Sequence, residues 1–578
     1  MAGIARRCAA LLSLSVSFFM ALPAGAQESP TPMRAPAPPQ NSLGDYARNL
    51  REKKRAKIKV TPEEAQQIFK AVDDITAFAA KDSGLEQKAN VKRQLVAQSE
   101  VERLVREQTM SEEEKQERQR GLLAMKKFGV LPRDFDMEAF AAELLGESIA
   151  GFYDPKTKMV SLLDWVPLQE QKSVLAHELT HALQDQNYDL QKWHKLRKAV
   201  VADAAKSVVS SDSDAGESST AGRCVTEGQA MVVMFDFLLA PSGVDLEHAR
   251  GLDEVLQERM SYGSEGPVLH RAPMVIRQGI AFPYREGLMF EIALLQQGSR
   301  PLAFTTALQH PPRLTHEILQ PRTYIAHEKI APVRIPDLHP VLGESVRVQD
   351  TGVIGELDIR VFIHQYESKW LAGELSKAWR GGSYVTVARS PQGQPATTND
   401  VALLYVSRWQ SPEVAERFAK FYAAAVAKRY RNASAATDGN VVGKPGGPIS
   451  SLQIATEEGP VIVEQWPGNM VFVTESFDAE TSARLRDAVL ATATGARAAA
   501  VSRDQPQVIE DLDLTLRLAG SPELAPLRYA VHESAMRAVI QASREAALTP
   551  ATADPTDIPG SPPRPLSRPR GAWGLAAR

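Results

Sequence analysis

The segment Ala176–Leu190, AHELTHALQDQNYDL, constrains this 578-residue chain more than any other stretch. On a helix successive residues turn about 100°, so His177 and His181 stand only about 40° apart on one face. With Leu175 as origin, Leu179, Ala182 and Leu183 fall within about 80° of it, and the two histidines lie near about 200° and about 240°. A helix here is expected to bury its leucines on one side and present two imidazoles on the other. Rings so placed can reach one ion at Zn–N distances of roughly 2.0–2.1 Å. Glu178 stands about 80° round from the pair, beside such an ion rather than on it. That position suits a general base and not a third ligand.

A third ligand must come from elsewhere. The extended pattern H-E-x-x-H-x-x-G-x-x-H fails here, because Gln184 and Asn187 occupy its later positions. Glu227 opens the apolar run CVTEGQAMVVMFDFLL (224–239), which reads as a buried helix. A carboxylate entering such a helix needs a partner, since an unpaired buried charge is very costly, and a metal ion is one. The competing reading is that Glu227 merely favours the positive end of its helix. Glu217, placed in the Ser-rich stretch 206–222 that reads as a loop, is the alternative third ligand. Asp185 is expected to orient a histidine from behind.

Around this segment the chain divides by texture. Residues 1–26 carry Arg6 and Arg7, an apolar run and Ala24-Gly25-Ala26, the pattern of a secretory signal cleaved after Ala26. The apolar run is too short to favour a membrane span, so no stable membrane insertion is expected after cleavage. Residues 27–43 form a Pro- and Ala-rich linker, and 44–145 read as helices. Capping-box signals start two of these helices, at Thr61-Pro62-Glu63-Glu64 and at Ser111–Glu114. The run SIAGFYDPKTKMVSLL (148–163) places a turn at Asp154–Thr157 between two β-rich arms, which predicts a hairpin.

Residues 250–330 look mainly helical. From about 350 to 500, strand-like runs (SYVTVARS, VALLYVSRW, SLQIATEE, PVIVEQW, MVFVTES) alternate with helical segments near 411–430 and 477–495, as in a separate α+β domain. A helical extension (501–548) and a Pro- and Arg-rich tail (549–578) follow. The net charge of −3 argues against nucleic acid as a partner. Of the two cysteines only Cys224 survives signal cleavage, so no internal disulfide can form and a buried, small-hydrophobe role is expected.

HELTH followed at a distance by a glutamate resembles the gluzincin group of zinc metallopeptidases. The longer series GFYDPKTKMV, LAHELTHALQDQNYDL, TEGQA, FPYREG and PPRLTHEIL is similar to a group of exported bacterial metallopeptidase-like proteins. The resemblance implies an α+β chain: a mainly helical, zincin-like catalytic domain (146–345) with a small hairpin, followed by the α+β domain. It implies one Zn2+ per chain on His177, His181 and Glu227, with Glu178 as general base for zinc-activated water attacking a peptide or protein substrate. The developing oxyanion then needs a donor. Tyr284 in FPYREG is the first candidate, with Arg285 and His316 behind it.

The strand at Gly151–Tyr153 is a candidate edge for an extended substrate. The chain departs from the pattern at Leu314–Glu317, where a Ser-Thr-Glu-Gln-like run is expected, and before Glu227, where the Asn-Glu pair of thermolysin-like enzymes is absent. An exported, periplasmic or secreted peptidase is the expected function. The alternatives are an envelope scaffold built on the same fold and a zinc hydrolase of non-peptide amides. No feature specifies an oligomeric state.

Overall fold

The structure is a computed structural model that describes residues 61–97, 112–144, 152–164, 168–194, 214–249, 267–344, 346–389, 395–439 and 446–493, together with Leu256. The signal segment, the linker, the capping signal at Ser111, the 501–548 extension and the tail lie outside the described residues. The described chain is mixed α+β, with a three-stranded and a seven-stranded sheet.

The first half is built from α1 (Pro62–Ser83), β1 (Lys92–Val96), α2 (Glu112–Phe128), the hairpin β2 (Phe152–Asp154) and β3 (Met159–Leu163), α3 (Leu168–Tyr188), α4 (Asp214–Leu239) and α5 (Met274–Gln297). Thr61 starts α1 with a full capping box: its Oγ1 accepts from the Glu64 N–H at 3.2 Å, and its own N–H donates to Glu64 Oε2 at 2.8 Å. The hairpin turns on Asp154, whose Oδ1 accepts from the Lys156 N–H and whose Oδ2 accepts from Thr157 Oγ1, both at 2.9 Å. Its register sets Tyr153 opposite Val160.

Two expectations need correction. Residues 92–96, read as part of a helical region, form β1 and pair in parallel with β3, giving the order β1-β3-β2. Only the outermost strand position beside β3 recruits KRQLV into a sheet, because the segment carries little strand propensity of its own. The Ser-rich stretch is also not a loop where it is described, since α4 begins at Asp214. Its small polar residues are buried: Ser218 and Thr220 are 4% and 2% exposed, and Thr220 Oγ1 donates to the Gly216 carbonyl. Small hydroxyls satisfied by their own helix allow close packing.

The second half contains β4 (Val348–Val353), α6 (Glu356–Tyr366), β5 (Trp379–Ala388), β6 (Val401–Trp409), α7 (Pro412–Arg429), β7 (Thr437–Asp438), β8 (Ser450–Thr456), β9 (Gly459–Trp466), β10 (Met470–Glu475) and α8 (Ala479–Ala493). β5, β6, β8, β9 and β10 follow the expected runs, β4 and the two-residue β7 are additional, and together they form an antiparallel sheet of order β4-β5-β6-β10-β9-β8-β7. Side chains alternate across it with period two. Leu403, Tyr405, Val471 and Val473 face one core, while Leu404, Val406 and Phe472 face another with Leu485 and Val489 of α8. Burial on both faces explains why these strands read as nearly unbroken apolar runs.

The first of those cores is continuous with the helical half. Phe128 of α2 packs against Phe362, Tyr405 and Tyr422 at 4.9–6.0 Å between ring centroids. Lys127, with no exposed surface, donates to Glu458 Oε2 at 2.8 Å and Ser476 Oγ at 2.7 Å. A smaller core joins Ile68, Val72 and Ile75 of α1 to Tyr153, Val160 and the leucine face of α3, namely Leu175, Leu179 and Ala182. The described helices α1 and α2 thus serve different halves, with α1 behind the histidine helix and α2 on the large sheet.

Helices α4 and α5 meet at glycines. A Cβ on Gly228 would lie 2.4 Å from the Gly287 carbonyl oxygen, and one on Gly287 would lie 2.4 Å from that of Cys224. Only glycine permits backbones this close. The stretch Gly216–Ser242 is long and apolar enough to cross a membrane, but 67% of its most apolar window is buried inside the protein, as for a core helix.

Glu291 of α5 is fully buried in the described structure, and neither of its carboxylate oxygens has a hydrogen-bond partner there. Burial alone holds its carboxyl well above the usual range. Because the folded value is raised, the cost is absent in acid, where the group is protonated folded and unfolded alike, and grows as pH rises past the unfolded value. Glu291→Leu is therefore expected to stabilise the chain by roughly 1–3 kcal/mol. Urea denaturation should show a larger gain near about pH 8 than near about pH 4.

Candidate metal centre

α3 carries three residues of the candidate centre and α4 the fourth. His177 Nε2 and His181 Nε2 lie 3.0 Å apart, and each is 3.2 Å from Glu227 Oε2. The three donor atoms therefore form a nearly equilateral triangle. An ion about 2.0–2.1 Å from each of three tetrahedral ligands would need donors about 3.3–3.4 Å apart. The observed edges fall just short of that, and the set of two imidazoles and one carboxylate suits zinc. Among the described residues this is the group of His, Cys, Asp and Glu side chains spaced to hold a metal ion.

The Glu227 carboxylate dominates the electrostatics of this cluster. Burial pushes His177 down to about 4. Burial also opposes the charged form of His181, but the Glu227 carboxylate outweighs it and holds that imidazole up at about 9. Glu227 in turn stays well below the carboxylate range, since the two histidines outweigh its burial. In this state a proton shared with His181 balances Glu227, and a bound cation would replace it.

Glu178 is 4% exposed, and burial raises its carboxyl to about 7. It does not join the triangle. Its Oε2 accepts from the Tyr153 N–H at 2.8 Å, so the middle residue of β2 turns its amide toward the helix and away from β3. Tyr153 is pinned at its other end too, where its hydroxyl donates to Asp185 Oδ2 at 2.6 Å, an oxygen shared with Lys158 Nζ.

Tyr284, 4% exposed, stacks on His177 with ring centroids 6.2 Å apart and planes 29° from parallel. It lies in the middle of α5, just after the in-helix Pro283. The structure thus brings together His177, Glu178, His181, Glu227 and Tyr284. It commits the lesser candidates to other partners. Arg285 bonds Glu286 and Gln278, and His316 Nδ1 sits 2.5 Å from Glu356 Oε2. Glu217, the alternative ligand, accepts from the Thr315 N–H at 2.7 Å and from the Thr315 hydroxyl.

Asp185 does not orient a histidine. Its Oδ2 accepts from the Tyr153 hydroxyl and Lys158 Nζ of the hairpin, and its Oδ1 from the Leu190 N–H. The residue behind His181 is Gln184, whose Oε1 is 2.9 Å from His181 Nδ1. The sequence signal for it was the i,i+3 spacing on one helix face.

Residues 344–470 match a family model described as a domain of unknown function (DUF8575), a span that starts just before β4 and reaches the first residue of β10. No curated protein and no solved structure matches the chain. The matched family is what the sheet-bearing half is similar to, and the histidine–glutamate centre lies outside the match.

Proposed function

We propose that the chain is an exported zinc metallopeptidase of gluzincin type on a zincin-like fold. The observation that carries this reading is the triangle of His177, His181 and Glu227 donor atoms at 3.0–3.2 Å, with a buried carboxylate one residue along the same helix. Zinc held there would supply a Lewis acid for a scissile carbonyl and bring the acidity of water toward neutral pH.

The chain's own residues do the rest. Glu178, raised to about 7, takes the proton from the attacking water and passes it to the departing amine. Tyr284 is the candidate hydroxyl donor to the developing oxyanion, a role its contact with His177 supports. β2 is the outer strand of its sheet on the Glu178 side, which suits addition of an extended peptide along it.

The test is the zinc content of the purified chain together with its activity on casein and on small amides. One equivalent of zinc and chelator-sensitive casein cleavage support the reading. Absence of stoichiometric zinc overturns it in favour of a scaffold, and zinc with cleavage of small amides alone favours a non-peptide hydrolase.

A further inference from the structure

We infer that Gln184 is a positioning residue that sets the tautomer of His181 and locks the two ligand-bearing helices in register. The inference rests on the metal reading above and concerns side chains that reading does not use.

For His181 to offer Nε2 to a cation it must carry its hydrogen on Nδ1. Nδ1 faces Gln184 Oε1 at 2.9 Å. The amide could in principle be turned round, which would place an N–H there, but its surroundings forbid this. Gln184 Nε2 lies 3.1 Å from the Thr226 carbonyl and 2.8 Å from Gln229 Oε1, both acceptors. Gln229 is oriented in the same way, because its Nε2 donates at 2.6 Å to the Ala303 carbonyl. That carbonyl belongs to the π-helical turn Leu302–Thr306.

Polarity therefore runs one way, from His181 Nδ1–H to Gln184, then Gln229, then the backbone of residue 303. Both glutamines have no exposed surface, so water cannot reverse the order. Thr226 precedes Glu227, so the amide that fixes one ligand's tautomer also holds the turn that presents another. A carboxylate at 184 could accept from the imidazole but could not donate to the two acceptors on α4. That accounts for an amide at this position.

The experiment measures zinc affinity by competition with a chromophoric chelator, and metal-free melting temperature, for the full chain and three variants. Gln184→Met removes the acceptor behind His181 and is expected to weaken zinc binding by roughly 10–100-fold. Gln229→Met breaks the same buried network without touching an imidazole. It should lower the melting temperature to a similar degree but, because the Thr226 carbonyl still orients Gln184, weaken zinc binding less than Gln184→Met does. Gln184→Glu keeps an acceptor for Nδ1–H but loses the bonds to α4, and should retain more affinity than Gln184→Met. Equal affinity losses in the Gln184→Met and Gln229→Met variants, or unchanged affinity in Gln184→Met, overturn the inference alone. A wild-type chain that takes up no zinc overturns the metal reading, and this inference with it.

Discussion

Replacing Glu178 with glutamine is expected to slow peptide hydrolysis by roughly 10²–10⁴-fold while zinc uptake stays at the wild-type level. The two effects separate because Glu178 lies outside the donor triangle. Its Oε2 is engaged by the Tyr153 N–H at 2.8 Å, and a glutamine keeps a carbonyl oxygen of the same size for that bond. What the amide cannot do is take a proton. Atomic absorption and a quenched fluorescent peptide read the two quantities. An undiminished rate removes Glu178 as the base, and a lost zinc would make it a ligand.

Arg429→Met is expected to cost about 3–5 kcal/mol of stability. Arg429 and Glu475 are 1% and 0% exposed at their side chains, and Arg429 Nη2 lies 2.7 Å and 2.9 Å from the two carboxylate oxygens. The same nitrogen donates to the Lys127 carbonyl at 2.7 Å, so the pair also holds the end of α2 on the sheet. Burial works against the Glu475 carboxylate, but Arg429 and Lys127 outweigh it and keep its pKa below the ordinary value.

A depressed folded value contributes stability above the unfolded pKa and loses it as pH falls. The gap between wild type and variant should therefore be full at neutral pH and narrow in acid. Urea midpoints at both conditions measure it. The double variant Arg429→Met with Glu475→Leu should recover much of the loss, because the penalty lies mainly in the stranded charge. If the double variant is no better than the single one, the cause is lost packing together with the buried Tyr422 and Tyr430 hydroxyls, which also donate to Glu475 at 2.6 Å and 2.5 Å.

Much of the centre was legible in the sequence because it is written in helical periodicity. His177, Glu178 and His181 share one helix, and their relative directions follow from the turn per residue. Glu227 could be nominated because a carboxylate leading into an apolar run needs a partner, although α4 begins well before it, at Asp214. Gln184 and Asp185 show where that logic stops. They are adjacent on α3, and direction alone did not say which one backs a histidine. The answer depended on acceptors supplied by Thr226 and Gln229 of α4 and on Tyr153 and Lys158 of the hairpin. Five strands of the large sheet, β5, β6, β8, β9 and β10, were legible for the opposite reason, since burial on both faces leaves long apolar runs.

By itself, then, the sequence determined the pieces whose signal is local: the histidine helix and its buried face, the Asp154 turn, the capped start of α1 and five of the seven strands of the large sheet. Tertiary structure alone decided that residues 92–96 become a strand, that α4 begins within the serine-rich stretch, and that α2 completes a core with Phe362 and Tyr405. It also decided that Glu227 rather than Glu217 meets the histidines. The reason is that local periodicity fixes which way a side chain points from its own element. What it meets there depends on residues far along the chain, whose approach is set by packing and by close contacts such as the one at Gly228 and Gly287.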